Sequence, residues 1–195
     1  MATAPLNPRL TPEEYLVLER KAEFKSEYDN GYVYAMSGAS RKHNLVAGNL
    51  YREISTQLRG RPCESFMSDM RVRANATGLF SYPDLAVVCG EPRFLDKEVD
   101  TLLNPTVIVE VLSPSTEVYD RGRKFAHYRR MRSLQEYVLI AQDKVLVERY
   151  TRQGEEDWLL TELSRLDDVL RLDSIGCQVP PREIYERVFS DEEDT

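Results

Sequence analysis

Two acidic residues interrupt stretches that otherwise read as buried β-strands. In Pro83-Asp84-Leu85-Ala86-Val87-Val88 an acid opens an apolar run, and in Val107-Ile108-Val109-Glu110-Val111-Leu112 an acid stands in the middle of one. Side chains alternate along a strand, so Glu110 shares a face with Ile108 and Leu112, while Val107, Val109 and Val111 take the other. Apolar residues on both faces mark a central strand covered on each side. An ionised carboxylate there is strongly unfavourable unless a cation or a set of donors compensates it. Two arrangements meet that need: a buried ion pair with one of the arginines, or a hard divalent cation shared by Asp84 and Glu110 from neighbouring strands. Carboxylate oxygens together with retained waters form the ligand set that Mg²⁺ prefers.

The elements that must position these acids can be read along the chain. Thr11-Pro12-Glu13-Glu14 carries an N-cap, a proline at the first helical position and acids in the first turn, which opens a helix with Tyr15, Leu16 and Leu18 on its apolar side. Asn30-Gly31 predicts a hairpin over Glu27 to Met36. Ser40 caps a second helix that reaches about Leu58, with Leu45, Val46, Leu50, Ile54 and Leu58 at helical spacing. Strands are expected over Glu64 to Arg73, Pro83 to Cys89 and Thr106 to Leu112, a basic helix over Tyr119 to Met131, and further strands over Glu136 to Ala141 and Val145 to Tyr150. Short strands near Trp158 to Leu163 and Val169 to Leu172 and a helix from Pro181 to Val188 complete the reading. From Ser40 the order is helix, strand, strand, strand, helix, strand, which predicts an α/β fold with a mixed sheet covered by helices. Residues 1–195 read as one domain: a core at about 40–141, an N-terminal helix and hairpin at 11–36, a C-terminal extension at 142–188 and an acidic tail at 189–195, frayed at its end.

Composition narrows the classes. With 42% hydrophobic residues, 11 Tyr and 6 Phe, the chain has the apolar material for a core and is not a disordered segment. No run is long enough to span a bilayer and Met1 to Leu10 lacks a secretory core, which predicts a cytoplasmic protein with no membrane partner. Cys63, Cys89 and Cys177 are odd in number and lack CxxC spacing, so all three are expected as reduced structural thiols. Ser113 and Ser115 sit in a Ser-Pro-Ser-Thr turn with no G-x-S-x-G elbow, which excludes the usual serine hydrolase arrangement.

The acids belong to a longer ordered series: Glu27-Tyr28-Asp29-Asn30-Gly31, Met36-Ser37, His43, Pro83-Asp84-Leu85, Val109-Glu110-Val111-Leu112-Ser113-Pro114-Ser115-Thr116, Asp120-Arg121-Gly122-Arg123-Lys124 and Glu136-Tyr137. Asp84 followed after 25 residues by Glu110, on that frame of elements, resembles the PD-(D/E)XK nuclease superfamily, and the full series resembles the Uma-two-type restriction endonucleases over about residues 10 to 188. The resemblance implies a restriction-endonuclease-like core, Mg²⁺ or Mn²⁺ held by Asp84 and Glu110, a DNA substrate, phosphodiester hydrolysis and a homodimer. The superfamily pattern expects a lysine two residues after the second acid, and Leu112 stands there. In the narrower family that lysine lies on the following helix, where this chain offers Lys124. Glu27 is placed near the site by the same resemblance, with a surface acid as the alternative. His43, at the start of the second helix, could polarise a water or touch phosphate, or serve only the helix N-terminus. His127 reads as part of the solvated or packing face of the basic helix, and Tyr119, Tyr128 and Arg123 are left unassigned.

Three functions remain open on the sequence: a Mg²⁺-dependent endonuclease, a non-catalytic nuclease-like module that binds nucleic acid or protein, and a structural dimerisation domain, the last having no need for acids in central strands. The formal charge of −7 argues against an anionic partner at first sight. It is unevenly spread: residues 41–83 and 119–140 each sum to +4, whereas 84–118 sum to −5 and 141–195 to −8. That segregation permits a phosphate-binding face.

Overall fold

The computed structural model describes residues 9–74 and 78–189. Its strands are β1 (Ser26–Asp29), β2 (Tyr32–Ala35), β3 (Cys63–Met67), β4 (Arg71–Ala74), β5 (Leu79–Ser81), β6 (Leu85–Cys89), β7 (Thr101–Leu102), β8 (Val107–Leu112), β9 (Glu136–Ala141), β10 (Val147–Arg152), β11 (Trp158–Leu163), β12 (Leu170–Leu172) and β13 (Cys177–Val179). The helices are α1 (Pro12–Glu19), α2 (Arg41–Leu58), α3 (Glu117–Tyr119), α4 (Phe125–Tyr128) and α5 (Pro181–Ile184), with a π-helical turn over Asp120–Lys124 joining α3 to α4.

One sheet has the order β11-β10-β9-β8-β6-β3, with β8 antiparallel to β6 and parallel to β9. Every residue of β8 is buried, as both its faces predict. Val107, Val109 and Val111 join Val46, Leu50, Ile54 and Leu58 of α2 in one core, to which β12, β13 and α5 also contribute. Ile108 and Leu112 face a second core containing Val72 and Ala74 of β4, Leu79 of β5 and Tyr128 of α4. The other large sheet, β2-β1-β5-β4-β7, thus lies against the opposite face of the first. Tyr15 and Leu16 of α1 pack with Tyr28 and Phe80 in a third cluster.

Local chemistry explains the main boundaries. Thr11 and Glu14 form a reciprocal capping box at α1, and Ser40 accepts the His43 N–H at the start of α2. Asn30 and Gly31 turn β1 into β2 at φ values of 49° and 97°, the positive-φ pair that a two-residue hairpin requires. A side chain at position 31 would also meet Arg9 Cβ at 3.0 Å.

The expected strand over Glu64 to Arg73 is two strands. A turn closed by Met70 N–H on the Met67 carbonyl sends β3 into the six-stranded sheet and β4 into the five-stranded one. Strands β5, β7 and β13 escaped a reading based on apolar runs because they are two or three residues long. The basic helix begins at Glu117 and contains the π turn, and the last helix stops at Ile184. Removing β4, β5 and β7 to the other sheet leaves α2, β3, β6, β8, the α3–α4 helix and β9, the order anticipated from the sequence.

The cysteine reading needs correction. Cys63 and Cys89 are directly opposite in the β3–β6 ladder and form a disulfide, while Cys177 is free and buried. Counting cysteines says nothing of register, and it is register that brings this pair together. Residues 190–195, most of the expected acidic tail, lie outside the described residues.

Candidate active site

Three elements bring carboxylates to one buried ammonium. Glu110 projects from the middle of β8, Glu27 from β1, and Asp120 from the helix that carries Lys124. Lys124 Nζ lies 2.9 Å from Glu110 Oε1, 3.0 Å from Glu27 Oε1 and 3.5 Å from Asp120 Oδ1. Lys124 is only 5% exposed, and Asp120 and Glu110 are equally deep. The group opposite Glu110 is therefore a lysine from the following helix and not an arginine. Leu112 is packed in the second core, where it supplies no polar chemistry.

Asp84 stands just before β6, and the antiparallel register Leu85↔Val109 carries it past Val109 toward Val111. Its Oδ2 accepts the Val111 N–H at 2.7 Å, and its Oδ1 lies 2.7 Å from His43 Nε2. His43 thus does more than sit at a helix start: Ser40 receives its backbone N–H, and its ring reaches from α2 to Asp84. Ser40 also hydrogen-bonds to Gln142, whose amide donates to the Leu112 carbonyl at 2.9 Å and ties the α2 N-terminus to the end of β8.

All five residues singled out from the sequence fall in this region. Glu27 and Glu110 both contact Lys124, and the Asp84–His43 pair is joined to them through the backbone of β8. Glu27 is not a surface acid: it is 8% exposed and accepts the Tyr82 N–H at 3.3 Å. Asp120 and Tyr128 are members that sequence reasoning did not assign. Both stand four residues from Lys124, which puts them on its face of a helix, so the spacing held the signal. The Tyr128 hydroxyl donates to Glu110 Oε1 at 3.0 Å.

His127 is buried rather than solvated, with Nε2 3.4 Å from Asp29 Oδ1. Arg123 also pairs with Asp29, whose carboxylate is fully enclosed. Burial opposes ionisation of Asp29, but His127 and Arg123 outweigh it and hold its pKa below the usual carboxylate value.

The electrostatics of the lysine cluster are unbalanced. Glu27, Asp84, Glu110 and Asp120 set four carboxylates against the single ammonium of Lys124. Burial, and after it Asp120, Asp84 and Glu27, push the Glu110 pKa well above its ordinary value despite Lys124. Burial raises Asp120 too, with Lys124 and Thr116 opposing and Glu27 assisting. Burial disfavours the Lys124 ammonium, but Glu110 and Glu27 more than offset it and keep it charged. Burial and Glu110 together raise the Tyr128 phenol, which stays a proton donor.

A hard cation suits this excess of oxygen anions. Glu110 and Glu27 are each tethered through Oε1, and among the described residues no hydrogen bond reaches Oε2 of either. No group of three or more His, Cys, Asp or Glu side chains among the described residues is arranged to hold a metal by itself. Two carboxylates completed by water, the usual Mg²⁺ arrangement, are compatible with that geometry.

Comparison with known proteins agrees with the fold. Residues 12–181 match the family model Uma2, described as "Putative restriction endonuclease". Two uncharacterized proteins of Synechocystis sp. are similar: sll1609, 42% identical over 154 residues covering 79% of this chain and 87% of the relative, and slr1290, 38% identical over 178 residues covering 91% and 92%. Among solved structures, one described as "a putative nuclease belonging to DUF820" from Anabaena variabilis superposes with a TM-score of 0.74 at 19% identity, covering 92% of this chain and 99% of the other. This likeness shows a shared mixed α/β fold, since an identity that low speaks to fold alone.

Proposed function

The chain belongs to the Uma2 family, and from that premise we propose that it is a metal-dependent endonuclease hydrolysing phosphodiester bonds in DNA, with Asp84 and Glu110 as metal ligands. The observation that carries the reading is Lys124: the side chain reaches Glu110 from the next helix, at 2.9 Å, and supplies the cation that Leu112 does not.

Each residue has a task in this scheme. A divalent cation at Asp84 and Glu110 would supply an acidified water and polarise the phosphate. Lys124 offers a compact ammonium for negative charge developing on the phosphoryl oxygens. Glu27 and Asp120 hold that ammonium in place, and His43 fixes the rotation of Asp84 while the Val111 N–H fixes its depth. Arg129, Arg130 and Arg132 are exposed around the end of α4, in the positively charged region 119–140, and offer contacts to backbone phosphates. A homodimer would present two such sites to the two strands of a duplex.

The test is cleavage of supercoiled and linear DNA with Mg²⁺ or Mn²⁺. Cleavage by the native protein, its loss in Asp84→Asn and Glu110→Gln, and a fall of about 10²-fold in Lys124→Met are expected. The burial of Leu112 favours one other reading, a module that binds nucleic acid without cutting it. Retained DNA binding with no cleavage under either metal would establish that reading and overturn the endonuclease.

A further inference from the structure

Glu110 Oε1 has two partners of different character. One is the charged Lys124, which Glu110 shares with Glu27 and Asp120. The other is the neutral hydroxyl of Tyr128, at 3.0 Å, which is fully buried and in contact with no other carboxylate among the described residues. Ser81 Oγ, on β5 and also fully buried, lies 2.8 Å from the same hydroxyl. A phenol has one proton. When Tyr128 gives it to the carboxylate, the Ser81 contact is formed only if Ser81 donates to Tyr128. The chain therefore runs in one direction, from Ser81 to Tyr128 to Glu110, and crosses from the five-stranded sheet through α4 to β8.

Resting on the endonuclease reading above, we propose that Tyr128 is a positioning residue for Glu110. Its hydroxyl, aimed by Ser81, fixes the carboxylate through Oε1 and leaves Oε2 for the cation. Lys124 cannot do this alone, because its ammonium is divided among three carboxylates and the proposed chemistry draws it toward phosphate. A neutral donor held by packing is indifferent to both changes. The aromatic neighbour Tyr137, 5.4 Å from the Tyr128 ring and edge-on to it, restrains the ring. Outer partners that orient a metal-ligating carboxylate typically change affinity by 10–100-fold when removed.

The experiment is Mn²⁺ binding to the native chain, Tyr128→Phe, Ser81→Ala and the double variant, followed by electron paramagnetic resonance without DNA and paired with circular dichroism. Tyr128→Phe is expected to weaken Mn²⁺ binding by about 10-fold or more. Ser81→Ala should weaken it less and add nothing in the Tyr128→Phe background, a non-additivity that mere loss of packing would not produce. In cleavage assays the Mn²⁺ requirement should rise while the DNA concentration dependence stays as in the native protein. Should Tyr128→Phe fail to fold, Ser81→Ala, which keeps the ring, decides alone. Native-like Mn²⁺ affinity in the folded variants overturns the positioning role and leaves the endonuclease standing. If the native chain binds no Mn²⁺, both proposals fall.

Discussion

Replacing Lys124 with Met removes the one cation from the buried cluster while keeping an unbranched apolar stem of similar reach. Glu27, Glu110 and Asp120, which share the ammonium at 3.0, 2.9 and 3.5 Å, would then face one another without a counter-charge. Breaking a buried pair by deleting one partner costs about 3–5 kcal/mol. With a melting shift of about 2–4 °C per kcal/mol for a chain of this length, the expected loss is roughly 6–20 °C near neutral pH. Altered packing alone can cost about as much, so two further measurements separate the causes. Adding Glu110→Gln to Lys124→Met should recover much of the loss, because it removes one of the stranded charges. Lowering the pH should recover part of it as well. Carboxylates whose folded pKa lies above the unfolded value take up protons on folding, so the stability they contribute is present at low pH and lost as pH rises through the folded pKa. Thermal and urea denaturation at about pH 5 and pH 8 on the single and double variants provide the assay. A Lys124→Met chain that loses less than about 1 kcal/mol, with no gain on acidification or from the second substitution, would refute the account of the cluster as an over-charged site stabilised by one lysine.

Three other outcomes follow from the same structure. Glu110 and Asp120 have folded pKa values above the ordinary range, and Asp29 and Asp100 have theirs below it, Asp100 through Arg20 first, with Thr101 and Arg71 assisting against burial. In metal-free buffer the first pair adds stability as pH falls through their raised folded pKa values toward the ordinary carboxylate range, and the second pair loses it as pH falls below about 4, near the unfolded Asp value; the denaturation midpoint should peak on the acid side of neutrality, and a maximum at pH 8 or above would contradict these assignments. The Cys63–Cys89 disulfide leaves only Cys177 free, so thiol titration of the unreduced, denatured protein should find one reactive group where three reduced cysteines would give three. By loop-entropy arithmetic for its separation of 26 residues, reduction should cost about 3–4 kcal/mol.

Much of the frame was legible because its elements follow simple periods. Strand β8 announces itself by apolar residues on both faces, and α2 by Val46, Leu50, Ile54 and Leu58 at four-residue spacing. Long-range register is a different matter. Nothing local in Met67 to Arg71 says that the chain leaves one sheet for another, and only the pairing of β4 with β5 and β7 makes it so. The disulfide was missed for the same reason, since Cys63 and Cys89 meet through a ladder and not through a motif. The short strands β5 and β7 carry too few residues for a pattern, yet β5 brings Ser81 to Tyr128 and so belongs to the site.

The site was legible where burial and charge conflict. An acid in a strand covered on both faces demands a partner, and that demand alone marked Glu110. The partner's identity depended on how a helix packs over β8, which no strand pattern contains. The π turn over Asp120–Lys124 makes the point. It widens the helix by one residue per turn just where Lys124 must meet Glu110, and π turns are frequent at functional sites. Downstream, regular helical spacing resumes and places Tyr128 on the same carboxylate oxygen that Lys124 contacts. A lysine at position 112 would have stood two residues from Glu110 on the same strand, and so on the same face; Leu112 instead fills the core there. Carrying the lysine on the helix lets that strand position serve packing, and it couples the proposed chemistry to the docking of one helix. A substitution that shifts this helix should therefore impair the site even when Asp84 and Glu110 remain in place.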